Sequence, residues 1–291
     1  MAQDKPKRAF TARNVIMLIL LVIMVVSGIG VIREQIESRR QREEQERLAQ
    51  LAQQTTEAVT EEAEAEPETE PEETEAPYVS PIDFEALWAE NSDVVGWITI
   101  PDTKIDYPIL YTDNNETYLH TDFNGKDSVY GAIYLDCDSE PDFSGWNNPI
   151  YGHHMKDGSM FKDVVKFKDE EFFKEHQYFE IYTPERTIHL KAISCYYTGS
   201  DGIVRKTKFK DQESYDAWLM ERLKPCKYAE IPEVPVGSVF TLVTCSYEKQ
   251  DARTLLYAVE VDEEGNIVPS DKGNEGQESE SMAKSASTAG N

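Results

Sequence analysis

Apolar and polar positions along the chain fall into three regimes. From Val15 to Ile32 (VIMLILLVIMVVSGIGVI) an uncharged run continues without a break, about 27 Å long as a helix at about 1.5 Å per residue, enough to cross a bilayer. No small-x-small cleavage site follows it, so the run reads as an uncleaved signal anchor over residues 15–32 with residues 1–14 before it. Glu34 to Gln54 is rich in good helix formers but has too few apolar positions for a heptad seam, and residues 33–56 read as a solvated polar stalk. Beyond Ser80 the pattern changes to short apolar or alternating runs bounded by Gly, Pro, Asp and Asn.

Those runs predict about eight strands, mostly antiparallel. They are GWITIP from Gly96, KIDYPIL from Lys104, VYGAIYLD from Val129, NPIYGH from Asn148, YFEIYT from Tyr178, TIHLKAISCYY from Thr187, SVFTLVTC from Ser238 and TLLYAVEV from Thr254. Helical spacing predicts a short leading helix with Phe84, Leu87 and Trp88, two more at SMFKDVVKF and DEEFFKEHQ, and the longest from Asp211. In that last helix Tyr215, Trp218, Leu219 and Leu223 share a face, with Arg222 between them. The expected class is mainly β, a barrel with peripheral helices over residues 80–261, preceded by one transmembrane helix. A disordered tail is expected over residues 262–291.

Charge alters the picture in two places. The chain has 55 Asp plus Glu against 29 Lys plus Arg, and ten of the Glu lie in residues 57–77, which hold no Lys or Arg. Residues 57–79 therefore read as a self-repelling disordered linker. The acidic balance and the lack of a basic stripe exclude a nucleic-acid partner. Lys5, Lys7, Arg8 and Arg13 precede the apolar run while Arg33, Arg39, Arg40, Arg42 and Arg47 follow it, so counting positive charges does not orient it.

Four cysteines fit no disulfide framework or zinc spacing. Cys137 and Cys195 read as small buried hydrophobes and Cys226 as a loop thiol. Cys245 differs, because it ends VFTLVT and is followed at once by polar SYEKQDAR, a rim position open to substrate. An ordinary thiol, with a pKa of about 8.5, is mostly protonated at neutral pH, so a catalytic cysteine needs an imidazole or cation beside it. His120 and His176 read as solvated and His189 as a strand residue. His153 and His154 end a strand, and alternation lets only one of them face a nucleophile. Arg253, eight residues after Cys245, returns on the next strand with a charge suited to an oxyanion; the alternative is a surface pair with Glu248 or Asp251. Asp136, Asp138, Glu140 and Asp142 imitate half a calcium loop, but the central Gly is missing and Asn147 stands where the closing Glu belongs, so they read as a solvated turn. A zinc site on Cys245 and His153 would need a further ligand, and metal is not expected.

IYGHHMKDGSMF, the downstream TLVTC and an Arg one short loop later together resemble the signature of sortases, the cysteine transpeptidases of Gram-positive cell surfaces. NSDVVGWITIPDTKIDYPIL, NNETYLHTDFNGKDSVYGAIYLD and the helical insertion at Asp211 to Lys224 resemble class B, and the likeness runs from about Phe84 to Val261. The resemblance implies an eight-stranded sortase barrel with Cys245 as nucleophile, His153 as general acid and base, Arg253 as oxyanion or substrate clamp and His154 as a spectator. It implies that Thr244, in the family's TLxTC position, orients substrate, with Ser246 supplying further contacts. It also implies an N-terminus inside the cell and the catalytic domain outside. The implied reaction cleaves a C-terminal sorting motif of a secreted protein through a thioester and passes the product to a peptidoglycan amine, with no cofactor. A pilin polymerase using a pilin lysine as acceptor, an inactive peptide-binding module and a plain cysteine protease are the alternatives.

Overall fold

The computed structural model describes residues 12–62, 78–199, 205–233, 235–246 and 252–270. The chain divides into two compact units, Met1–Glu46 and Arg47–Asn291. Helix α1 (Ala12–Glu62) carries the apolar run, and its large side chains from Val15 to Ile32 are exposed along the helix. Among the described residues it is the one helix long and apolar enough to cross a membrane. Most of the expected acidic linker, residues 63–77, lies outside the described residues, as do residues 1–11 and 271–291.

In the second unit eight strands close into a barrel. They are β1 (Val94–Thr99), β2 (Asp106–Leu110), β3 (Tyr134–Leu135), β4 (Asn147–Tyr151), β5 (Tyr178–Tyr182), β6 (Thr187–Gly199), β7 (Val239–Ser246) and β8 (Ala252–Val261). Their order around the barrel is β1-β2-β3-β4-β7-β8-β6-β5, closed by β1 against β5. The pairs β2·β3 and β4·β7 are parallel and the others antiparallel. Closure removes the free strand edges that would otherwise template aggregation.

Strand alternation sorts the apolar residues into an interior and two outer patches. Ile98, Ile109, Leu135, Ile150, Phe240, Leu242, Leu256 and Ala258 fill the interior. Trp97, Leu110 and Tyr134, one step along the same strands, face a patch covered by helix α2 (Phe84–Glu90). Val239, Val243, Leu255, Tyr257 and Val259 face a second patch, covered by α5 (Gln212–Leu223) through Tyr215, Trp218, Leu219 and Leu223. Burying each such side chain is worth roughly 1.5–3 kcal/mol. A bulge in β6 between Ala192 and Ser194 switches its parity, so Ile188, Leu190 and Ala192 point inward, Ile193 joins the α5 patch, and Cys195 is inward again. Between β4 and β5, SMFKDVVKF winds as a 3-10 helix (Phe161–Lys168) rather than an α-helix, its Phe161, Val164 and Phe167 enter the interior core, and DEEFFKEHQ follows as α4 (Glu170–Glu175).

Several expectations change. VYGAIYLD yields only Tyr134–Leu135 as strand, because Gly131 takes a left-handed turn (φ 57°) that breaks the extended run. A Cβ at Gly131 would lie 2.5 Å from the Tyr118 carbonyl and 3.0 Å from the His153 ring, so the turn admits no side chain. A one-turn helix α3 (Thr117–His120), with no strong pattern of its own, precedes it. The polar stalk is not solvated throughout: Leu48 and Ala52 are buried with Phe84, Leu87 and Trp97, the Asp83 amide donates to the Ala52 carbonyl (2.8 Å), and Arg47 holds Glu90 with two bonds of 2.8 Å. Leu48, Leu51 and Ala52 form an apolar stripe at i, i+3 and i+4, too short for a coiled-coil seam but long enough to dock. The first residues of the expected tail are also ordered. Gly265 turns the chain (φ 83°), Ile267 bridges Val261 and packs on the α5 patch, and Ser270 donates to the Pro235 carbonyl (2.9 Å).

Candidate active site

β7 and β8 run antiparallel from Val239↔Val259 to Ser246↔Ala252, and this register sets Cys245 directly opposite Arg253. Cβ atoms of such partners lie about 4.5–5.5 Å apart. Alternation puts Cys245 on the face of Val239 and Val243, and Arg253 on the face of Leu255 and Tyr257, so both side chains belong to the same outer side of the sheet. On the other side of β7, β4 pairs in parallel up to Tyr151↔Val243, and the Gly152 amide extends the ladder by donating to the Val243 carbonyl (3.1 Å). Carrying the alternation onward gives His153 the face of Tyr151 and His154 the face of Ile150 in the interior. His153, Thr244, Cys245 and Arg253 line one small cavity of about 80 Å³ together with Leu119, Tyr134, Tyr151, Gly152 and Val243. The side chain of Ser246 and residues 247–251, which include Glu248 and Asp251, lie outside the described residues.

Two hydrogen bonds distinguish the histidines. His153 Nε2 lies 2.9 Å from the Leu119 carbonyl. A carbonyl only accepts, so this network assigns the hydrogen to Nε2 and leaves Nδ1 as the basic atom of His153. His154 Nδ1 lies 2.9 Å from the carbonyl of Cys245 itself, so there the hydrogen is on Nδ1. Burial holds the His154 imidazole below its ordinary pKa, opposed by the bond to the Cys245 carbonyl. Arg253 donates to the Ala252 carbonyl at 3.1 Å.

The wall beside the cysteine is aromatic. Tyr134 and Tyr151 stack with ring centroids 5.1 Å apart, and the Tyr151 hydroxyl donates to Asp136 at 2.6 Å. Asp136 was expected in a solvated turn. It is instead fully buried and accepts also from Arg205 Nε (3.1 Å), Asn115 Nδ2 (3.1 Å) and the Asp138 amide (2.9 Å). Asp136, Cys137 and Asp138 are close enough together to chelate a cation, but Arg205, bonded to both carboxylates, already supplies the positive charge.

The hub should be asymmetric under mutation. Asp136→Ala takes the acceptor from the Tyr151 hydroxyl, Asn115 Nδ2 and the Asp138 amide at once, and an unfolding loss of about 3 kcal/mol or more is expected. Arg205 is 47% exposed, and its removal leaves Asp136 three donors, so Arg205→Ala should cost only about 1 kcal/mol. Urea unfolding of the two variants measures the difference; equal losses would show that Asp136 is not the centre of the network.

The remaining candidates disperse. All four cysteines are free thiols. Cys195 is buried, which pushes its thiol well above the ordinary range, and Cys226 is buried in the turn after α5 rather than in an open loop. Cys137 is only half-buried, 3.9 Å from Arg205, contrary to its reading as a core residue. His176, expected in solvent, stacks on Phe172 with centroids 3.9 Å apart, and His189 pairs with Glu180 (3.0 Å) on β5.

Cysteine, imidazole and guanidinium on a barrel rim suit nucleophilic acyl chemistry, a property of several unrelated folds. A family model described as the sortase domain matches residues 98–261, more than half of the chain. The chain belongs to the sortase family. Sortase B of Listeria monocytogenes is 31% identical over 160 residues, 55% of this chain and 65% of that protein. Sortase B of Staphylococcus aureus is 25% identical over 248 residues, 84% of this chain and 95% of that one. Among solved structures, the Staphylococcus aureus sortase B–substrate complex superposes with a TM-score of 0.64 at 26% identity, covering 78% of this chain and 99% of that chain. These relatives put the sortase in class B.

What the sequence did not disclose about this sortase site is its supporting structure. Leu119, which lines the cavity, sits in a segment of weak periodicity, Tyr134 in a run read only as a strand, and Asp136 looked like one acid among four. One usable signal existed: Tyr151 is two residues before His153, so alternation puts its ring on the same face.

Proposed function

We propose that this class B sortase is a membrane-anchored cysteine transpeptidase acting on secreted proteins that carry a C-terminal sorting motif. The observation that carries the reading is the convergence of Cys245, His153 and Arg253, from three neighbouring strand ends, on one cavity. Cys245 Sγ passes its proton to His153 Nδ1 and attacks the scissile carbonyl as thiolate. The Arg253 guanidinium, opposite it on β8, offers paired donors to the oxygen on which charge develops. His153 Nδ1 gives its proton to the departing amine as the tetrahedral species collapses to a thioester. A peptidoglycan amine then attacks the thioester, His153 recovers a proton, and the thiolate leaves. Thr244 and Ser246 contact the bound peptide.

The exposed apolar surface of α1 from Val15 to Ile32 supports a membrane anchor, since water would not tolerate fifteen large apolar side chains spread around one helix. In this reading the N-terminus is cytoplasmic and the barrel extracellular. Incubating the full chain in detergent with a library of sorting-motif peptides, with and without an added amine, tests the whole reading. A thioester on Cys245 by mass spectrometry and amine-dependent ligated product are expected. Hydrolysis unaffected by amine would make the chain a protease, and peptide binding with no covalent species would make it a binding module.

A further inference from the structure

We propose that His154 is a positioning residue which holds the strand end carrying Cys245; the inference rests on the reading of Cys245 as the nucleophile. In a parallel ladder, every second amide of one strand donates to every second carbonyl of the next. The Gly152 amide donates to the Val243 carbonyl, so the amide two residues on, that of His154, is the ladder's next donor and Cys245 the next acceptor. The backbone turns away at that point. His154 bridges Met160, and the Phe161 amide returns to the His153 carbonyl (2.9 Å). At that point the His154 ring supplies Nδ1–H to the Cys245 carbonyl at 2.9 Å. The side chain thus continues the sheet by one bond at the residue where acyl transfer needs a fixed sulfur.

The surroundings hold this arrangement in place. His154 is only 6% exposed. Met160 adopts a left-handed conformation (φ 56°), costly for a residue with a side chain, and its amide donates to the Tyr107 hydroxyl (2.9 Å). Lys162 and Lys168 lie near enough to His154 to disfavour its protonation, as its burial does, while the Cys245 carbonyl favours it. A neutral imidazole with the hydrogen on Nδ1 is the form that the hydrogen bond requires.

The two amide side chains separate a donor at this place from mere filling of space. Asn carries its nitrogen on Cγ, as His carries Nδ1, whereas Gln puts its nitrogen where Nε2 would be. In the full chain, His154→Ala and His154→Gln should slow single-turnover acylation by a sorting-motif peptide about ten- to a hundredfold, since small misplacement of a reacting atom is enough for that. KM should stay within about twofold, and His154→Asn should recover most of the loss. Iodoacetamide, which needs no alignment, should alkylate Cys245 in every variant at close to the wild-type rate. Nitrogen NMR of the wild type should show the Nδ1–H tautomer at His154. Wild-type acylation rates in the Ala and Gln variants, an Asn variant no faster than Gln, variants that lose Cys245 alkylation along with acylation, or an Nε2–H tautomer would each overturn the inference. A wild-type chain that no sorting peptide acylates would instead remove the reading of function beneath it.

Discussion

Cys245→Ala is expected to abolish acylation by sorting peptides, a loss of about 10⁴-fold or more, because no other group at the cavity can form the thioester. Cys137→Ala, Cys195→Ala and Cys226→Ala should retain most activity. Cys195 and Cys226 are buried away from the cavity, and Cys137 lies beside Arg205 on the Asp136 hub. Cys195→Ala should instead lower stability modestly, since it vacates space among packed core residues. Peptide mapping after thiol labelling checks the assignment: inactivation by a label found only on Cys137, Cys195 or Cys226 would mean that the nucleophile is not Cys245.

The second large effect is at Arg253, where geometry should matter as well as charge. A planar guanidinium presents two parallel donors to one oxygen or to neighbouring oxygens, and a lysine ammonium is a mobile point charge. Loss of one oxyanion donor typically costs about a hundred- to a thousandfold in rate, so Arg253→Ala should fall by at least about that much and Arg253→Lys should recover only part. An Arg253 that served only as a surface partner of Glu248 or Asp251 would leave both variants near the wild-type rate, with at most a small change in stability. Single-turnover acylation, after circular dichroism has confirmed the fold, decides between the two.

The barrel was legible because each strand is an apolar run closed by turn residues, and each run had to fill a shared interior. The α5 face was legible for a related reason: Tyr215, Trp218, Leu219 and Leu223 recur at helical spacing, and all four are buried. Where contact depends on chains far apart in sequence, local pattern said little. Leu48 and Ala52 looked like isolated apolar residues in a polar helix because the surface that covers them, around Phe84 and Trp97, comes more than thirty residues later. Asp136 looked solvated because its donors Asn115, Tyr151 and Arg205 come from three separate segments. VYGAIYLD has the composition of a strand, and only the left-handed Gly131 prevents it from being one. At the candidate site the residue types and the faces of the histidine pair were readable from alternation, whereas the bond from His154 to the Cys245 backbone depends on the chain leaving the sheet after Gly152.

The opposition of Cys245 and Arg253 is fixed by six residue pairs deeper in the β7–β8 ladder, from Val239↔Val259 to Thr244↔Thr254. Phe240, Leu242, Leu256 and Ala258 of that ladder are buried in the barrel interior, and Val239, Val243, Leu255, Tyr257 and Val259 are buried in the α5 patch. The alignment of the reactive pair is therefore tied to the packing of the barrel itself, and a substitution that loosens Phe240, Leu242 or Leu256 should be felt at the cysteine as well as in stability.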